Sequence, residues 1–377
     1  MSTTAAPDTQ AAVLVSLDVG GESPEDAAEE LERLVESAGV RRHVTVRGRR
    51  PRPDPKFFCG SGKVAEIGRE AAALNAAWVI FNHALSPAQE RNLEVELKRR
   101  VLDRTGLILE IFSQRAQTNE GKVQVELARL QHLSTRLVRG WSHLERQRGA
   151  LGKVGGPGET QLELDRRYIA NRVRVLRDKL DTLRRQRSVQ RRARARRDVL
   201  SVSLVGYTNA GKSTLFNALT RAGAYEADQL FATLDTTTRR MWLPGAGNVV
   251  LSDTVGFIRD LPHGLVAAFR ATLEETVHAD LLLHVVDSAS PVREAQAAEV
   301  DKVLAEIGAG DVPQLLVWNK VDASGLAPGV ERDEYGRIRR VFVSARSGAG
   351  LAELRGAVAE AAQARQARTP SPEPISL

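Results

Sequence analysis

The sequence predicts an α/β protein in which two α/β domains are separated by a long helical segment. Short apolar runs typical of buried strands alternate with helical patterns in residues 11–115 and again in residues 199–362. Between these regions, apolar residues recur at spacings of three and four, which is the period of an amphipathic helix. A chain of 377 residues is long enough to form two or three separate cores.

Residues 1–115 form the predicted N-terminal α/β domain. Ala12–Leu17 and Ala77–Phe81 are short apolar runs that predict buried strands. Ser23 is a candidate cap for the helix after the first strand. Pro87 suits the first position of the helix after the second strand. Strands that alternate with helices predict a mostly parallel sheet.

Residues 116–198 predict a long antiparallel helical hairpin. Each of two segments carries one apolar stripe, and the glycine-rich residues 149–158 between them cannot form a regular helix. We therefore expect a glycine-rich tip between two helical arms. The stripes consist of Leu130, Leu133, Leu137, Trp141 and Leu144, and of Ile169, Val173, Leu176, Leu180 and Leu183.

Residues 199–362 form the predicted second α/β domain, and residues 363–377 a polar, proline-rich tail that we expect to be disordered. Apolar runs without alternation predict strands that are buried on both faces of a sheet. These runs are Val199–Val205, Val249–Leu251, Leu281–Val286, Leu315–Trp318 and Val341–Val343.

Composition and charge favour a cytoplasmic protein with a polyanionic partner. The chain has one cysteine, no run of eighteen apolar residues and no secretory signal pattern, so we expect no disulfide, cysteine-based zinc site or membrane span. Although the net charge is +7, residues 165–197 alone hold fourteen Lys or Arg against three Asp. Arginines crowd residues 184–197 without an acidic neighbour, and their mutual repulsion favours RNA over a plain solvated helix face or a membrane.

Residues 206–213 read Gly-Tyr-Thr-Asn-Ala-Gly-Lys-Ser, which matches a phosphate-binding loop. Because the loop joins a predicted strand to a helix, its N–H groups and the helix N-terminus would face phosphates. Lys212 would contact the β- and γ-phosphates, and Ser213 would bind Mg²⁺. The candidate nucleotide-binding residues here are Gly206, Tyr207, Thr208, Asn209, Ala210, Gly211, Lys212, Ser213 and Thr214.

Two later motifs, each at the end of a strand, predict guanine as the base and therefore a P-loop GTPase domain. Asp253 would hold Mg²⁺ through a water, and Gly256 would donate its N–H to the γ-phosphate. The Asp322 carboxylate can accept from N1–H and the exocyclic amine of guanine, a pair of donors that adenine lacks. The candidates in these motifs, with the weaker Ser-Ala signal after the last strand, are Asp253, Thr254, Val255, Gly256, Asn319, Lys320, Val321, Asp322, Ser344, Ala345 and Arg346.

The segment Phe231–Thr238 lies where an ordering switch must lie, between the phosphate loop and Asp253. Several of its threonines offer a hydroxyl to Mg²⁺, and position alone does not choose between them. After Gly256, where many GTPases have a glutamine that positions the attacking water, the chain has Phe257. We therefore expect slow hydrolysis unless a partner completes the site.

Taken together, these motifs resemble those of HflX-type GTPases of the Obg/HflX group, from about Val13 to Ala361. The resemblance implies that Phe231, Ala232, Thr233, Leu234 and Asp235 contact the nucleotide, with Thr233 on Mg²⁺ beside Ser213. Lys212, Thr233 and Gly256 then take the catalytic roles. The segments that carry the resemblance are Gly206–Ser213, Phe231–Asp235, Asp253–Pro262, Ala279–Asp287, Gly155–Glu163, Leu85–Gln89 and Arg91–Glu94.

The resemblance also implies a partner and an activity. It implies binding to the large ribosomal subunit and its RNA, with the hairpin tip near the peptidyl-transferase region, and ribosome-stimulated splitting or rescue of stalled ribosomes. Two features depart from the family: Thr236 stands where proline is frequent, and only a short tail follows the nucleotide domain. We expect a monomer that uses Mg²⁺ and converts GTP to GDP.

Two other functions stay open at the level of sequence. One is a GTP-regulated assembly factor that binds RNA or ribosomes and hydrolyses GTP only incidentally. The other is an ATP-driven RNA-remodelling enzyme that acts through the N-terminal domain, where Gly60–Lys63 would contact phosphate. A short turn before a helix is the preferred interpretation of that segment, and Asp322 opposes ATP as the ligand of the second α/β domain.

Overall fold

The computed structural model describes residues 8–20, 24–136, 161–195, 199–220, 230–231, 233–259, 265 and 270–368. The chain divides into two compact units, Met1–Asp181 and Thr182–Leu377. The first contains a four-stranded sheet and the second a seven-stranded sheet, and helices connect most of the strands in the two sheets. The predicted α/β class is confirmed. None of the described helices is long and apolar enough to cross a membrane.

The first unit is a parallel sheet in the order β2-β1-β3-β4. All of the residues from Ala11 to Val15 are fully buried, because their strand is central and has helices on both faces. The strands are β1 Asp8–Asp18, β2 Arg42–Arg49, β3 Ala76–Phe81 and β4 Arg100–Leu102. The helices are α1 Pro24–Ser37, α2 Ser61–Ala73, α3 Pro87–Leu97, α4 Arg104–Arg115 and α5 Asn119–Arg136.

Local sequence signals set the helix ends in this unit. Helix α3 begins with Pro87, and Ser86 forms a capping box with Gln89 in which each side chain bonds the other's backbone N–H. The Asp103 side chain caps α4 by accepting from the N–H of Gly106 at 2.7 Å. Ser23, the predicted cap of the first helix, lies outside the described residues.

Helix α6, Gln161–Ala195, is 35 residues long, and the boundary between the two units falls within it. Its first part lies antiparallel to α5. Arg172 donates to Glu126 at 2.8 Å, and Lys179 donates to Asn119 at 3.2 Å. Ile169, Leu176 and Leu180 of the predicted stripe are buried. Since residues 137–160 lie outside the described part of the chain, the closed hairpin and its glycine-rich tip stay predictions, as does the division into four segments.

A cluster of buried polar and charged groups ties α5 to α3 and to the start of α4. The Arg136 guanidinium donates to Glu90 at 2.6 Å and to Asp103 at 2.5 Å, and His132 lies beside it. Burial raises the pKa of Glu90 to about 7, although Arg136 opposes that shift. Burial also lowers the pKa of His132 to about 4, so that ring is neutral at pH 7. Arg136 is therefore the central cation of this cluster.

We expect Arg136→Ala to lower the stability of the first unit by about 3–5 kcal/mol, because two buried carboxylates would lose their cation. Hydrogen exchange of β3 and β4 in the full chain measures this loss. Arg129→Ala is the matched control on the same helix, since Arg129 is half exposed and its ion pair with Glu110 spans 3.7 Å. The control should cost less than about 1 kcal/mol. Equal effects of the two substitutions would contradict a stabilising role for the cluster.

The second unit is a seven-stranded sheet in the order β10-β11-β9-β8-β5-β7-β6, parallel except for the antiparallel edge strands β6 and β10. The strands are β5 Leu200–Gly206, β6 Thr237–Leu243, β7 Gly247–Asp253, β8 Leu281–Asp287, β9 Gln314–Asn319, β10 Gly329–Arg332 and β11 Ile338–Phe342. The helices are α7 Lys212–Thr220, α8 Arg270–Val277, α9 Arg293–Ile307, α10 Val321–Ser324 and α11 Leu351–Arg368.

Candidate functional site

The predicted site residues meet at one edge of the second sheet. Strands β5, β7, β8, β9 and β11 run parallel, so their carboxyl ends lie together, which is where open α/β sheets bind ligands. The phosphate-loop motif follows β5, Asp253 ends β7, Asn319 ends β9, and Ser344 follows β11. Four segments that are far apart in sequence therefore converge, as their positions at strand ends predict.

The loop from Gly206 to Gly211 lies close to the ends of β8 and β9, and α7 begins after it at Lys212. Gly211 has a φ of 88°, and a Cβ there would lie 2.3 Å from the Asn319 amide nitrogen. Only glycine fits that position. Asn209 also has a left-handed backbone, with a φ of 59°, a conformation that asparagine tolerates better than most residues.

Lys212 is buried, and its ammonium group is held by the phosphate loop itself. It donates to the carbonyl oxygens of Gly206 at 3.0 Å and Tyr207 at 2.8 Å. Burial lowers the pKa of Lys212 to about 8, and the Asp253 carboxylate partly offsets this shift. The cation is therefore already desolvated and fixed beside the loop, where anionic phosphates would stabilise its charge.

Three oxygen-bearing side chains meet beside Lys212. The hydroxyls of Ser213 and Thr233 donate to the same Asp253 oxygen, Oδ2, at 2.7 and 2.8 Å, and lie 2.7 Å from each other. The second oxygen, Asp253 Oδ1, is buried without a hydrogen-bond partner in the described structure. Burial raises the pKa of Asp253, and the hydrogen bond from Ser213 opposes that shift. Mg²⁺ prefers hard oxygen donors, so this set fits the ion.

Asn319 connects the phosphate loop to the end of β11. Its amide nitrogen donates to the Ala210 carbonyl at 2.9 Å, and its amide oxygen accepts from the Ala345 N–H at 2.9 Å. The Ala345 N–H is thus used to orient Asn319. Ser344 is buried and its hydroxyl accepts from the Ser347 N–H, whereas the neighbouring Arg346 is exposed.

The remaining base-reading candidates surround the short helix α10. Lys320 has a left-handed φ of 65°, and its ammonium forms an ion pair with Asp287 at 2.8 Å. Asp322 lies in the first turn of α10 with its side chain exposed, while Val321 is buried. Asp287 is not among the predicted site residues, although it ends the apolar strand β8 as Asp253 ends β7.

The Asp253 motif is joined to the phosphate loop by backbone hydrogen bonds. Thr208 N–H donates to the Phe257 carbonyl at 2.7 Å, and Phe257 N–H donates to the Gly206 carbonyl at 3.1 Å. A Cβ on Gly256 would lie 3.0 Å from the Lys212 ammonium nitrogen. The Phe257 ring is buried, with 1% exposed. It therefore packs in the interior of the unit.

The other candidates support the site through packing. Thr254 is buried, donates to the Leu204 carbonyl at 2.5 Å and precedes the buried Val255. Phe231 and Leu234 are also buried on either side of Thr233, and the adjacent Asp235 is half-buried. Thr214, in the first turn of α7, is half-buried. Ala232 lies outside the described residues.

Three family models match consecutive parts of the chain. Residues 25–113 match the N-terminal region of a GTP-binding GTPase, residues 115–194 its middle region, and residues 201–320 a 50S ribosome-binding GTPase. The GTPase HflX of Escherichia coli (strain K12) is 54% identical over 350 residues, covering 93% of this chain and 82% of that protein. The chain belongs to the HflX family of GTPases. HflX of Magnetococcus marinus is 50% identical over 337 residues, or 88% of this chain and 78% of that protein.

Membership of the HflX family confirms the resemblance that the motifs indicated, and it makes the chain a GTP hydrolase. Among solved structures, a crystal structure of SsGBP in complex with GDP is similar. It has a TM-score of 0.50 and 26% identity, and the match covers 94% of this chain and 98% of that one.

Proposed function

We propose that this HflX-family GTPase binds the large ribosomal subunit and its RNA and couples GTP binding and hydrolysis to splitting or rescue of stalled ribosomes. One observation carries the proposal. The candidate site brings together groups that would bind phosphate, Mg²⁺ and a base. However, the buried Phe257 stands where many GTPases have a glutamine that orients the attacking water. A partner that completes the site would make hydrolysis depend on that partner.

The arrangement of the site supports specific roles for five residues. Lys212 would hold the β- and γ-phosphates with a desolvated ammonium, and Gly256 would donate its N–H to the γ-phosphate. Ser213 and Thr233 provide the hydroxyls for Mg²⁺, with Asp253 accepting from both. The ion, when bound, neutralises charge on the phosphates. Because Thr233 would contact Mg²⁺ only while the phosphates hold it, its segment would report the state of the nucleotide.

Helix α6 supports RNA as the ribosomal component that is contacted. Its C-terminal part carries Arg184, Arg185, Arg187, Arg191, Arg192 and Arg194, and Arg196 and Arg197 follow it. Arginine binds phosphate in a bidentate manner and stacks on bases, so this density fits ribosomal RNA. The family model for a 50S ribosome-binding GTPase over residues 201–320 points to the large subunit. We place this activity in the cytoplasm and assign it to a monomer.

Phe257 also supports a second candidate function. If hydrolysis is incidental, the chain acts as a GTP-regulated assembly factor that binds RNA or ribosomes. The two functions differ in one respect: only the first requires that the ribosome accelerate GTP turnover.

We expect GTP turnover by the purified chain to be slow alone and to rise about a thousandfold or more with large subunits or intact ribosomes, since completion of a GTPase site by a partner is worth about 10³–10⁵ in rate. Phosphate release under single-turnover and steady-state conditions measures this rise. Small subunits serve as the control and should not stimulate. Ribosome binding without stimulation would favour the assembly factor. If the chain neither bound ribosomes nor was stimulated by them, both functions would be refuted.

A further inference from the structure

The edge strand β6 exposes a tryptophan next to two arginines. Trp242 is 68% exposed, and Arg239 and Arg240 are exposed on the same strand. Burying an aromatic side chain removes about 150–250 Å² of surface from water. A chain that leaves such a side chain exposed therefore loses the favourable free energy of that burial. An exposed aromatic residue within a basic surface therefore needs a reason.

The strand register fixes which of these side chains lie together. Arg240 is opposite Val250 and Trp242 is opposite Asn248 on β7, so Arg240 and Trp242 share one face of the sheet. Side chains two positions apart on one strand face lie about 7 Å apart. An aromatic ring and a guanidinium are thus presented side by side at the free edge of the sheet, where β6 is the last strand.

Both arginines lack an acidic partner in the described part of the chain. The polar contact of Arg239 is with the neighbouring Thr238 carbonyl at 3.3 Å. The opposite edge of the same sheet differs. There Arg332 forms an ion pair with Glu360 at 2.9 Å, and Arg340 with Glu331 at 3.2 Å. The positive charge on β6 is therefore left for an external anion.

Protection of the sheet edge explains only part of this surface. Charged side chains on an edge strand prevent pairing with other strands, and the two arginines serve that purpose. An exposed tryptophan works against it, because it adds an apolar surface that favours association. A ring beside unpaired guanidinium groups is instead the combination that binds unpaired nucleotides, by base stacking and phosphate contact.

We propose that β6 is a second RNA-binding surface, at which Trp242 stacks on an unpaired base and Arg240 contacts the adjoining phosphate or base. The proposal deepens the proposed ribosomal function and rests on it for the source of the RNA. The strand also connects to the nucleotide site. Its first residue, Thr237, lies four residues after Thr233 and pairs with Asp253 at the end of β7. RNA on β6 is thus bound by the strand that continues from the candidate Mg²⁺ segment.

The test compares full-length variants in binding to large ribosomal subunits and to protein-free RNA of that subunit, with a non-hydrolysable GTP analogue present. We expect Trp242→Ala to weaken both affinities roughly five- to a hundredfold, which is the effect of losing one stacked base. Trp242→Phe keeps a ring and should retain most of the affinity. Ultraviolet crosslinking followed by mass spectrometry should find a nucleotide on the peptide that contains Trp242.

Tyr335→Ala is the matched control, because Tyr335 is 75% exposed at the opposite edge of the same sheet and follows Asp333 and Glu334. It should change neither affinity. Unaltered binding by Trp242→Ala would overturn the proposal and leave the ribosomal function standing. Weaker subunit binding with unchanged RNA binding and no crosslink would overturn it in favour of a protein contact.

A different result separates the two proposals. If the unaltered chain does not bind subunits, the ribosomal function fails. Binding of single-stranded oligouridylate then tests the β6 surface without the ribosome. Weaker binding of this probe by Trp242→Ala, but not by Tyr335→Ala, would support an RNA surface without a ribosome, and equal binding would overturn it.

Discussion

Lys212→Ala is expected to reduce the affinity for GTP below the range of calorimetry. The ammonium group is buried and donates to two loop carbonyls, so water cannot readily take its place after truncation. Truncating one partner of a buried charge contact costs about 2–5 kcal/mol, which is about 30- to 5,000-fold in Kd. The loss should be at the upper end, because the γ- and β-phosphates both lose the same cation.

Lys302→Ala provides the control for Lys212→Ala. Lys302 lies on α9 of the same unit, is exposed and pairs weakly with Glu299 at 3.4 Å. Its removal should leave GTP affinity unchanged. Thermal unfolding without nucleotide should establish that Lys212→Ala remains folded. If such a folded variant bound GTP as the unaltered chain does, the assignment of the phosphate loop would be wrong.

Much of the candidate site was predictable because it depends on local chemistry at strand ends. The apolar runs before Gly206, Asp253 and Asn319 predict parallel strands, and parallel strands bring their carboxyl ends to one edge. The α/β class follows from such runs in both units. The family resemblance follows from the motifs after these runs together with segments outside the second unit, such as Gly155–Glu163. The position of Thr233 did not follow from residue type, because several threonines in its segment offer an equivalent hydroxyl.

The features that sequence analysis missed depend on long-range contacts or on weak patterns. No local signal shows that the Asn319 amide bonds both Ala210 and Ala345, which lie 109 and 26 residues away. The edge strands β6 and β10 lack an apolar run, since an edge strand exposes much of its surface. For the same reason β2, with arginines at both ends, escaped prediction. Edge position in a sheet is a tertiary property, and composition describes it poorly.

Asp322→Asn is expected to shift nucleotide preference from guanine to xanthine. The carboxylate would accept from two donors of guanine, N1–H and the exocyclic amine, and two hydrogen bonds to a charged group are worth about 3–6 kcal/mol together. Because the asparagine oxygen can still accept one of them, loss of one or both bonds lowers GDP affinity about ten- to ten-thousandfold. Xanthine presents a carbonyl where guanine has its amine, so the asparagine amide can donate to it. Competition between GDP and xanthosine diphosphate measures the shift.

Asp322 and not a neighbouring group should decide this preference, because its neighbours already have partners. Asn319 is fixed between the phosphate loop and Ala345, and the Lys320 ammonium is paired with Asp287. The exposed Asp322 carboxylate lies in the same segment and is available to a base. Asp311→Asn, at another exposed position of this unit, should not alter selectivity. Unchanged discrimination by Asp322→Asn would mean that another group reads the base.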